Sequence, residues 1–372
     1  MFTVPFFIWK FILKLKMTLG IFAVFFVNLV FAEDRSKIGP FIEVSSFSHS
    51  EPIAINALFN DWKGSFSSGE KAFSFNRFKV GFHINDWQLA VINRQDYAFE
   101  FSPETAQLIY ESKNKIPLKP NDNYRLDFKS QSFLARGLQL AYKKTFNEFK
   151  IGFSAAYLEG YDLLDGNLSG QAKALATNDY DFNFDVNYAY SEDALFSRKN
   201  LDKVNGQGYA FDLAIDWQLN EKWALSARVE DLFAKMHWVD APRTIANGSS
   251  QTKEFDEDGF VLFRPVASGL ETNSSFTQSI PTKVFIHSDY AMSERQTLVF
   301  QMDDYAIMRF YSLGYSFKAS QASHFEATYN LTAKALGLSF QNNWLKASLL
   351  SDAWPLKQAK TLGIGLSARY LF

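Results

Sequence analysis

The last stretch of the chain, TLGIGLSARYLF (Thr361–Phe372), alternates apolar residues with small or polar ones up to the final position. Its even positions, from Leu362 to Phe372, are all apolar, whereas most of its odd positions are Gly, Ser, Thr or Arg. A period of two is typical of a β-strand whose two faces differ. Chain ends usually fray in water, so an apolar face that continues to the last residue predicts a strand lying against lipid.

The same alternation recurs along most of the chain, for example in RFKVGFHI (77–84), FKIGFSAAY (149–157) and FDLAIDWQL (211–219). Aromatic residues make up 17% of the chain, 39 of them Phe, yet the mean hydropathy is −0.16. Much apolar surface without long apolar runs indicates alternating strands. Since the chain has no cysteine, burial and backbone pairing must stabilise it without disulfides.

Residues 1–32 have the three parts of a secretory signal peptide. Lys10, Lys14 and Lys16 precede an apolar core at 17–30, and Ala32 suits a cleavage site. A membrane-anchor helix is the alternative, although the apolar core is short for a span. We therefore expect a signal peptide at 1–32 and one β-barrel domain at 33–372. The formal charge of −2 becomes more negative after cleavage, which argues against a nucleic-acid partner.

Short and long connections between the predicted strands fall into two sets, as in outer-membrane barrels with short periplasmic turns. The short set comprises turns near 85, 147, 177–179, 220–222, 293–295, 318–322 and 342, and the long set 102–123, 191–207, 239–279 and 352–360. Placing every short turn on the periplasmic side requires separate strands at 168–176 and 180–190. The count is then about 16 strands, with 14 as the alternative. We predict an all-β, antiparallel, up-and-down transmembrane barrel in the outer membrane of a Gram-negative bacterium.

Aromatic residues flank the short turns: Trp87, Phe146, Phe149, Trp223, Phe340 and Trp344. Aromatic side chains favour the boundary between lipid and water, so these residues predict a girdle at the periplasmic end. The C-terminal strand would then end at the same rim. Tyr370 and Phe372 are predicted to act there as an assembly signal for the barrel-assembly machinery.

The segment GYAFDLAIDWQLNEKWALSARVEDLFAKMHW (208–238) resembles a hairpin of outer-membrane barrels related to the fatty-acid transporter FadL, which include secretion- and gliding-associated barrels. SIPTKVFIHSDYAMSERQTL (279–298) is similar to a second hairpin of that group. The resemblance covers about the last 165 residues and implies either passage of a hydrophobic solute or a scaffolding role. No Asn-Pro-Ala segment like that opening the transporter's plug occurs in the first half.

Charged residues at inward positions are the candidates for a luminal polar network. They are Arg77, Lys79, Arg94, Asp212, Asp216, Arg228, Glu230, His287 and Asp289. In an open porin such rows select ions, and in a closed barrel they pair with one another. His287 and Asp289 share a strand face and could activate water, but the chain has no nucleophile motif and no His/Cys metal spacing. We therefore expect no enzyme activity and no cofactor.

The predicted loop 239–279 contains the apolar block FVLFRPVASGL (260–270). Phe260, Leu262, Phe263 and Leu270 could line the barrel mouth and bind a ligand, or pack on a neighbouring loop. FDEDGF (255–260) lacks the spacing of a calcium loop and is expected to be a solvated acidic segment. The sequence favours a channel for a small solute, with a hydrophobic molecule as one candidate. The alternative is a scaffold, adhesion or secretion-accessory barrel whose loops bind an envelope protein.

Overall fold

The computed structural model describes residues 38–370, with gaps at 177–178, 194, 197, 200, 251–252, 256–260 and 264–265. The predicted signal peptide lies outside these residues. Within them, no helix is both long enough and apolar enough to span a membrane.

The described residues form eighteen strands and few helical turns. The first nine strands are β1 (Ile38–Ser50), β2 (Lys71–Ile84), β3 (Trp87–Phe101), β4 (Asn123–Phe146), β5 (Phe149–Ala176), β6 (Asp179–Tyr190), β7 (Asn205–Gln218), β8 (Trp223–Ser249) and β9 (Lys253–Phe255). The remaining strands are β10 (Val261–Phe263), β11 (Val266–Ser279), β12 (Lys283–Ala291), β13 (Gln296–Asp304), β14 (Arg309–Lys318), β15 (His324–Asn330), β16 (Ala335–Gln341), β17 (Leu345–Ser351) and β18 (Thr361–Arg369). The helical segments are α1 (Ile55–Leu58), α2 (Pro103–Asn114) and a 3-10 turn (Leu356–Gln358).

The sheet closes on itself where β1 pairs with β18, from Phe41 opposite Arg369 to His49 opposite Thr361. Every neighbouring pair of strands is antiparallel, as expected for a chain that passes up and down. Among the described residues, the closed wall has 14 strands around its circumference. Sixteen strands form it, but β6 and β7 lie one above the other between β5 and β8, and β11 and β12 lie one above the other along the opposite edge of β8. The predicted barrel is thereby confirmed, with the lower of the two expected strand counts.

The shared positions arise from the length of β5 and β8. The first part of β5 pairs with β7, from Phe149 opposite Trp217 to Gly160 opposite Gly206, and its later part pairs with β6. The separate strand predicted at 168–176 is therefore wrong, because this segment continues β5. The end of β5 at Ala176 and the start of β6 at Asp179 consequently lie at the loop end of the barrel, not at the periplasmic end.

The segment 239–279 is not a loop along most of its length. β8 continues to Ser249 and pairs with β11 over Lys235–Ser249. The long irregular loop predicted there is therefore wrong. The segment forms strands instead, because β11 pairs with one edge of β8 and β6 with the other, and together they satisfy its backbone hydrogen bonds.

The two faces of the wall follow the predicted alternation. On β5, Phe153 is 50% exposed and points outward, as do Ile151 and Tyr157, whereas Ser154 points inward and hydrogen-bonds Asp212. At the turn end, Trp87 packs on Tyr142 at 4.7 Å and Trp223 on Tyr290 at 4.9 Å between ring centroids. These pairs lie at the predicted aromatic girdle.

An outward-facing ion pair marks the upper limit of the apolar belt. Arg136 on β4 contacts Glu159 on β5 at 3.3 Å, one step above the outward-facing Leu138, which is 58% exposed. Beyond this level β2, β3, β4, β5, β6, β8 and β11 remain paired as an extension on one side of the barrel.

Short helices cover the outer face of the extended strands. α2 begins at the N-cap Ser102, whose Oγ accepts a hydrogen bond from the Thr105 backbone N–H at 3.1 Å, with Pro103 suited to the first helical position. Trp62 and α1 pack in the same cluster against Ala72 and Phe101. This layer covers apolar side chains that lie beyond the lipid belt.

A second cover lies on the outer face of β6. Leu195 and Leu201 pack against Val186 and Tyr190 of that strand. The Tyr188 hydroxyl donates to Asp193 Oδ1 at 2.5 Å, which fixes the start of the segment that joins β6 to β7.

Candidate functional site

The upper lumen on the β1–β2 and β13–β14 side is filled by an aromatic cluster. Its members are Phe47, Phe73, Phe75, Phe285, Tyr305 and Phe310. Tyr305 stacks on Phe47 at 4.4 Å and on Phe75 at 5.7 Å, and Phe285 meets its ring edge at 5.4 Å. Inward positions of β1, β2, β12 and β14 hold five of these rings, and Tyr305 lies in the turn between β13 and β14.

A second apolar cluster, here the tryptophan cluster, fills the upper lumen on the β4–β8 side. Trp238 is fully buried and packs with Phe133, Leu158, Met236 and other buried side chains. Its indole N–H donates to Gln278 Oε1 at 3.2 Å. Gly160 and Gly206 leave room for the indole, since a Cβ at either position would come within 2.7 Å of its ring.

Below and between these clusters lies an ion-pair layer. It consists of Arg77, Arg94, Asp96, Asp212, Arg228, Glu230, Asp231 and Lys283. Asp231 is the centre of the layer: its carboxylate contacts Arg94 at 2.6 Å, Lys283 at 2.7 Å and Arg77 at 2.8 Å. Arg94 also pairs with Asp96.

Glu230 extends the layer toward the turn end. Its carboxylate contacts Arg77 at 2.7 Å and Arg228 at 2.8 Å. Aromatic rings lie against three of the cations: Lys283 is 4.2 Å from the centre of Phe75, Arg228 4.6 Å from Phe285, and Arg94 5.2 Å from Phe133. Such contacts stabilise a cation that has lost its water.

A local distortion of β8 brings Asp231 into the layer. Asp231 and Phe233 have φ values of 63° and 53°, and the pairing of β7 with β8 shifts register on either side of Phe211. A bulge of this kind re-aims a side chain, so two successive residues, Glu230 and Asp231, both reach the lumen. The Asp231 backbone N–H donates to Asp212 Oδ1 at 3.0 Å.

The lower lumen contains two polar cavities of about 830 and 610 Å³. Lys143, Lys150, Asp216, Lys346 and Arg369 line the larger cavity. Small residues of β14–β18 line the smaller one, among them Ser312, Ser316, Thr328, Gly337, Ser339 and Gly363. Phe47 and Tyr305 of the aromatic cluster form part of its lining, so this cavity ends where the apolar packing begins.

The predicted luminal residues lie in two groups. Arg77, Arg94, Asp212, Arg228 and Glu230 belong to the ion-pair layer, and Asp212, Arg228 and Glu230 also line the larger cavity. The others line the lower cavities, where Lys79 contacts Glu43 at 3.4 Å, Asp216 accepts a hydrogen bond from Ser226 at 2.8 Å, and His287 contacts Asp289 at 2.9 Å. Among the described residues, no three His, Cys, Asp or Glu side chains are arranged to hold a metal ion.

Sequence reasoning missed Asp96, Asp231 and Lys283. Asp96 and Lys283 lie at inward positions by simple alternation, one step from Arg94 and Phe285, and could have been found by extending the predicted faces. Asp231 could not, because strict alternation from Glu230 places it outward.

The predicted mouth residues are only partly described. Phe260 and the acidic residues 256–258 lie outside the described residues, and Leu262 and Phe263 belong to the small hairpin β9–β10. Leu270 of β11 lies opposite Ile245 of β8 and is 61% exposed. At the C-terminus, the Tyr370 backbone N–H donates to the Pro40 carbonyl at 3.1 Å, and Phe372 lies outside the described residues.

A closed antiparallel wall, an exposed apolar belt and a polar lower lumen define an outer-membrane β-barrel. No protein-family model matches the chain, and no curated protein matches its sequence.

Several solved structures have a weak likeness to this one. The Pseudomonas putida toluene transporter TodX shares 10% identity over 91% of both chains, with a TM-score of 0.43. The monoaromatic hydrocarbon channel CymD shares 11% identity over 91% of this chain and 90% of its own, with a TM-score of 0.42. A Pseudomonas aeruginosa FadL homologue shares 9% identity over 90% of this chain and 88% of its own, with a TM-score of 0.26. At such scores the function must be argued from this barrel's own lumen.

Proposed function

We propose that this protein is an outer-membrane channel for small apolar solutes, captured here in a closed state. The observation that carries the proposal is the aromatic cluster, which occupies inward positions at the top of the lumen. Water-filled barrels have polar interiors, so six aromatic side chains in the lumen are not explained by passage of water and ions.

The chemistry of the cluster favours apolar solutes over polar ones. A small hydrocarbon that enters between Phe47, Phe75 and Tyr305 replaces one apolar contact with another, and it gains roughly 25 cal/mol for each Å² of its surface removed from water. A sugar or an ion entering the same space loses its hydration without gaining hydrogen bonds. Below Tyr305 the solute meets a polar cavity, where release into water follows.

Uptake by cells that produce the protein tests the proposal. Cells with the wild-type barrel should take up radiolabelled toluene several-fold faster than cells without it, while glucose uptake stays unchanged. Tyr305→Ala should raise the rate of toluene entry, because it removes the ring that stacks on both Phe47 and Phe75. Phe149→Ala on the lipid face is the matched control and should have no effect. Equal toluene uptake with and without the barrel would contradict the proposal.

A scaffold role is the second candidate, and the strand extension favours it. β4, β5, β6, β8 and β11 remain paired above the Arg136–Glu159 ion pair and offer a surface to a protein partner. Deleting residues 256–270 removes β10 and the first five residues of β11 from this extension. If that deletion leaves toluene uptake unchanged and abolishes co-purification of an envelope protein, the scaffold role replaces the channel; a change in uptake with normal assembly supports the channel.

The remaining expectations concern biogenesis. We propose that residues 1–32 direct secretion, that lipid surrounds the belt, and that Tyr370 and Phe372 recruit the barrel-assembly machinery. Deleting residues 370–372 should then reduce the amount of heat-modifiable, membrane-inserted protein. Normal levels after that deletion would remove the proposed assembly signal.

A further inference from the structure

We infer that Asp231 makes the lumen impermeable to ions by holding together the ion-pair layer, and so determines which solutes the channel excludes. The inference deepens the proposed function, because a channel for neutral apolar solutes needs a barrier against ions. The barrier is nevertheless a property of the barrel itself and can be measured without any solute.

The position of Asp231 in the wall is the first argument. Asp231 belongs to β8, whereas Arg77 and Arg94 belong to β2 and β3. These strands are not neighbours: β4, β5 and β7 separate β3 from β8 along the wall. Contacts of 2.6 Å to Arg94 and 2.8 Å to Arg77 therefore cross the lumen and join strands four and five positions apart in the wall.

Burial is the second argument. The Asp231 side chain is 0% exposed, and those of Arg94 and Lys283 are 1% and 2% exposed. These three buried side chains leave no water-filled path between them, whereas Arg228, whose side chain is 54% exposed, faces the larger cavity below the layer. The apolar clusters above the layer add to this barrier, since Lys283 lies over Phe75 and Arg94 over Phe133.

Charge balance is the third argument. The layer contains four basic side chains, Arg77, Arg94, Arg228 and Lys283, and four carboxylates, Asp96, Asp212, Glu230 and Asp231. A neutral, mutually paired set needs no counter-ion and no water. Loss of the Asp231 charge leaves one basic group in excess and deprives three of them of a shared partner. Unpaired buried cations draw in water and anions, and basic groups lining a pore favour anions.

Conductance in planar bilayers tests the inference with purified full-length protein in KCl. The wild-type barrel should stay near the bilayer baseline. Asp231→Asn should raise the mean conductance at least tenfold, and the reversal potential in a KCl gradient should show preference for chloride. Asp231→Glu keeps a carboxylate at this position and should conduct far less than Asp231→Asn.

Two further variants distinguish the effect of an unbalanced charge in the ion-pair layer from a general loss of structure. The double variant Asp231→Asn with Lys283→Met restores neutrality, so its chloride preference should disappear. Asp86→Asn is the control, because Asp86 forms an exposed pair with Lys144 at a periplasmic turn and its loss should leave the baseline unchanged. If Asp231→Asn does not assemble, Asp96→Asn should give the same chloride-selective rise, since Asp96 pairs with Arg94 and Lys283.

Several results would overturn the inference. They are steady ion conductance of the wild-type barrel, a folded Asp231→Asn barrel that stays at baseline, and a rise with preference for potassium. Failure of the proposed function is distinguishable from these results. A wild-type barrel that excludes ions but does not speed toluene uptake contradicts the channel for apolar solutes and leaves the ion barrier in place.

Discussion

The two halves of the lumen are built on the same strands and yet differ in packing. In the lower half, inward positions of β14–β18 carry Ser, Thr and Gly, and cavities of about 610 and 830 Å³ remain. In the upper half, inward positions carry Trp238, Phe310 and Arg94, all of them buried. Alternation decides which side chains face the lumen, and the volume of those side chains decides whether the lumen is open.

The largest expected effect on the free energy of unfolding comes from truncating a buried side chain of the upper lumen. Trp238→Ala removes a fully buried indole and should lower the free energy of unfolding by about 3–5 kcal/mol. Ser339→Ala in the lining of the lower cavity should change it by less than about 0.5 kcal/mol. Urea unfolding in lipid vesicles, followed by the heat-modifiable gel shift, measures both. Equal losses would mean that the two halves are packed alike.

The lipid face of the lower wall should respond nearly as strongly. Phe153→Arg places a charge in the apolar belt, where Phe153 is 50% exposed, and should cost about 2–4 kcal/mol. Ile215→Arg should behave in the same way. Ala214→Arg points into the larger cavity, where water is available, and should cost far less in the same unfolding measurement. A reversed order would contradict the assigned faces.

A glycine pair on β5 gives a smaller and more local comparison. A Cβ at Gly160 in the upper lumen would come within 2.5 Å of the Trp238 ring, whereas at Gly152 in the lower lumen its nearest neighbour would be Lys143 Cγ at 3.4 Å. Gly160→Ala should therefore cost about 1–3 kcal/mol through overpacking. Gly152→Ala should be neutral or slightly stabilising. Similar midpoints of unfolding for both variants would contradict close packing around Trp238.

The smallest effect is expected at the outer cover of β6. Burial acts to raise the pKa of Asp193, but the Tyr188 hydroxyl and the backbone N–H groups of Phe196, Arg198 and Leu195 hold that pKa below its usual range. A carboxyl with a lowered pKa stabilises at pH values above its unfolded pKa, and the contribution is lost as the pH falls through the folded pKa.

Asp193→Asn should therefore increase cleavage of the segment 191–204 by an added protease at neutral pH, with the membrane-embedded barrel left intact. Wild-type protein should show the same increase only in acid, below the usual pKa range of Asp. A variant cleaved no faster than the wild type at neutral pH would show that Asp193 does not hold this cover.

The alternation of side chains determined much of this protein in advance. The stripe from Leu362 to Tyr370 and the faces of β2, β5 and β7 follow from a period of two, because successive side chains of a strand point to opposite sides whatever the strand pairs with. The aromatic girdle and the short periplasmic turns are also local signals. The barrel, its lipid face and the luminal placement of Arg77 or Asp216 were therefore predictable from sequence.

Other features depended on contacts between residues far apart in the chain. Residues 149–176 form one long strand, because β7 pairs with its first part and β6 with its later part. Periodicity along the sequence cannot show such a pairing. The joining of Asp231 to Arg77 and Arg94 required a bulge that breaks the alternation and a closed barrel that brings β8 across the lumen from β2 and β3. Local sequence specifies the direction of a side chain, whereas only closure of the wall specifies what that side chain meets across the lumen.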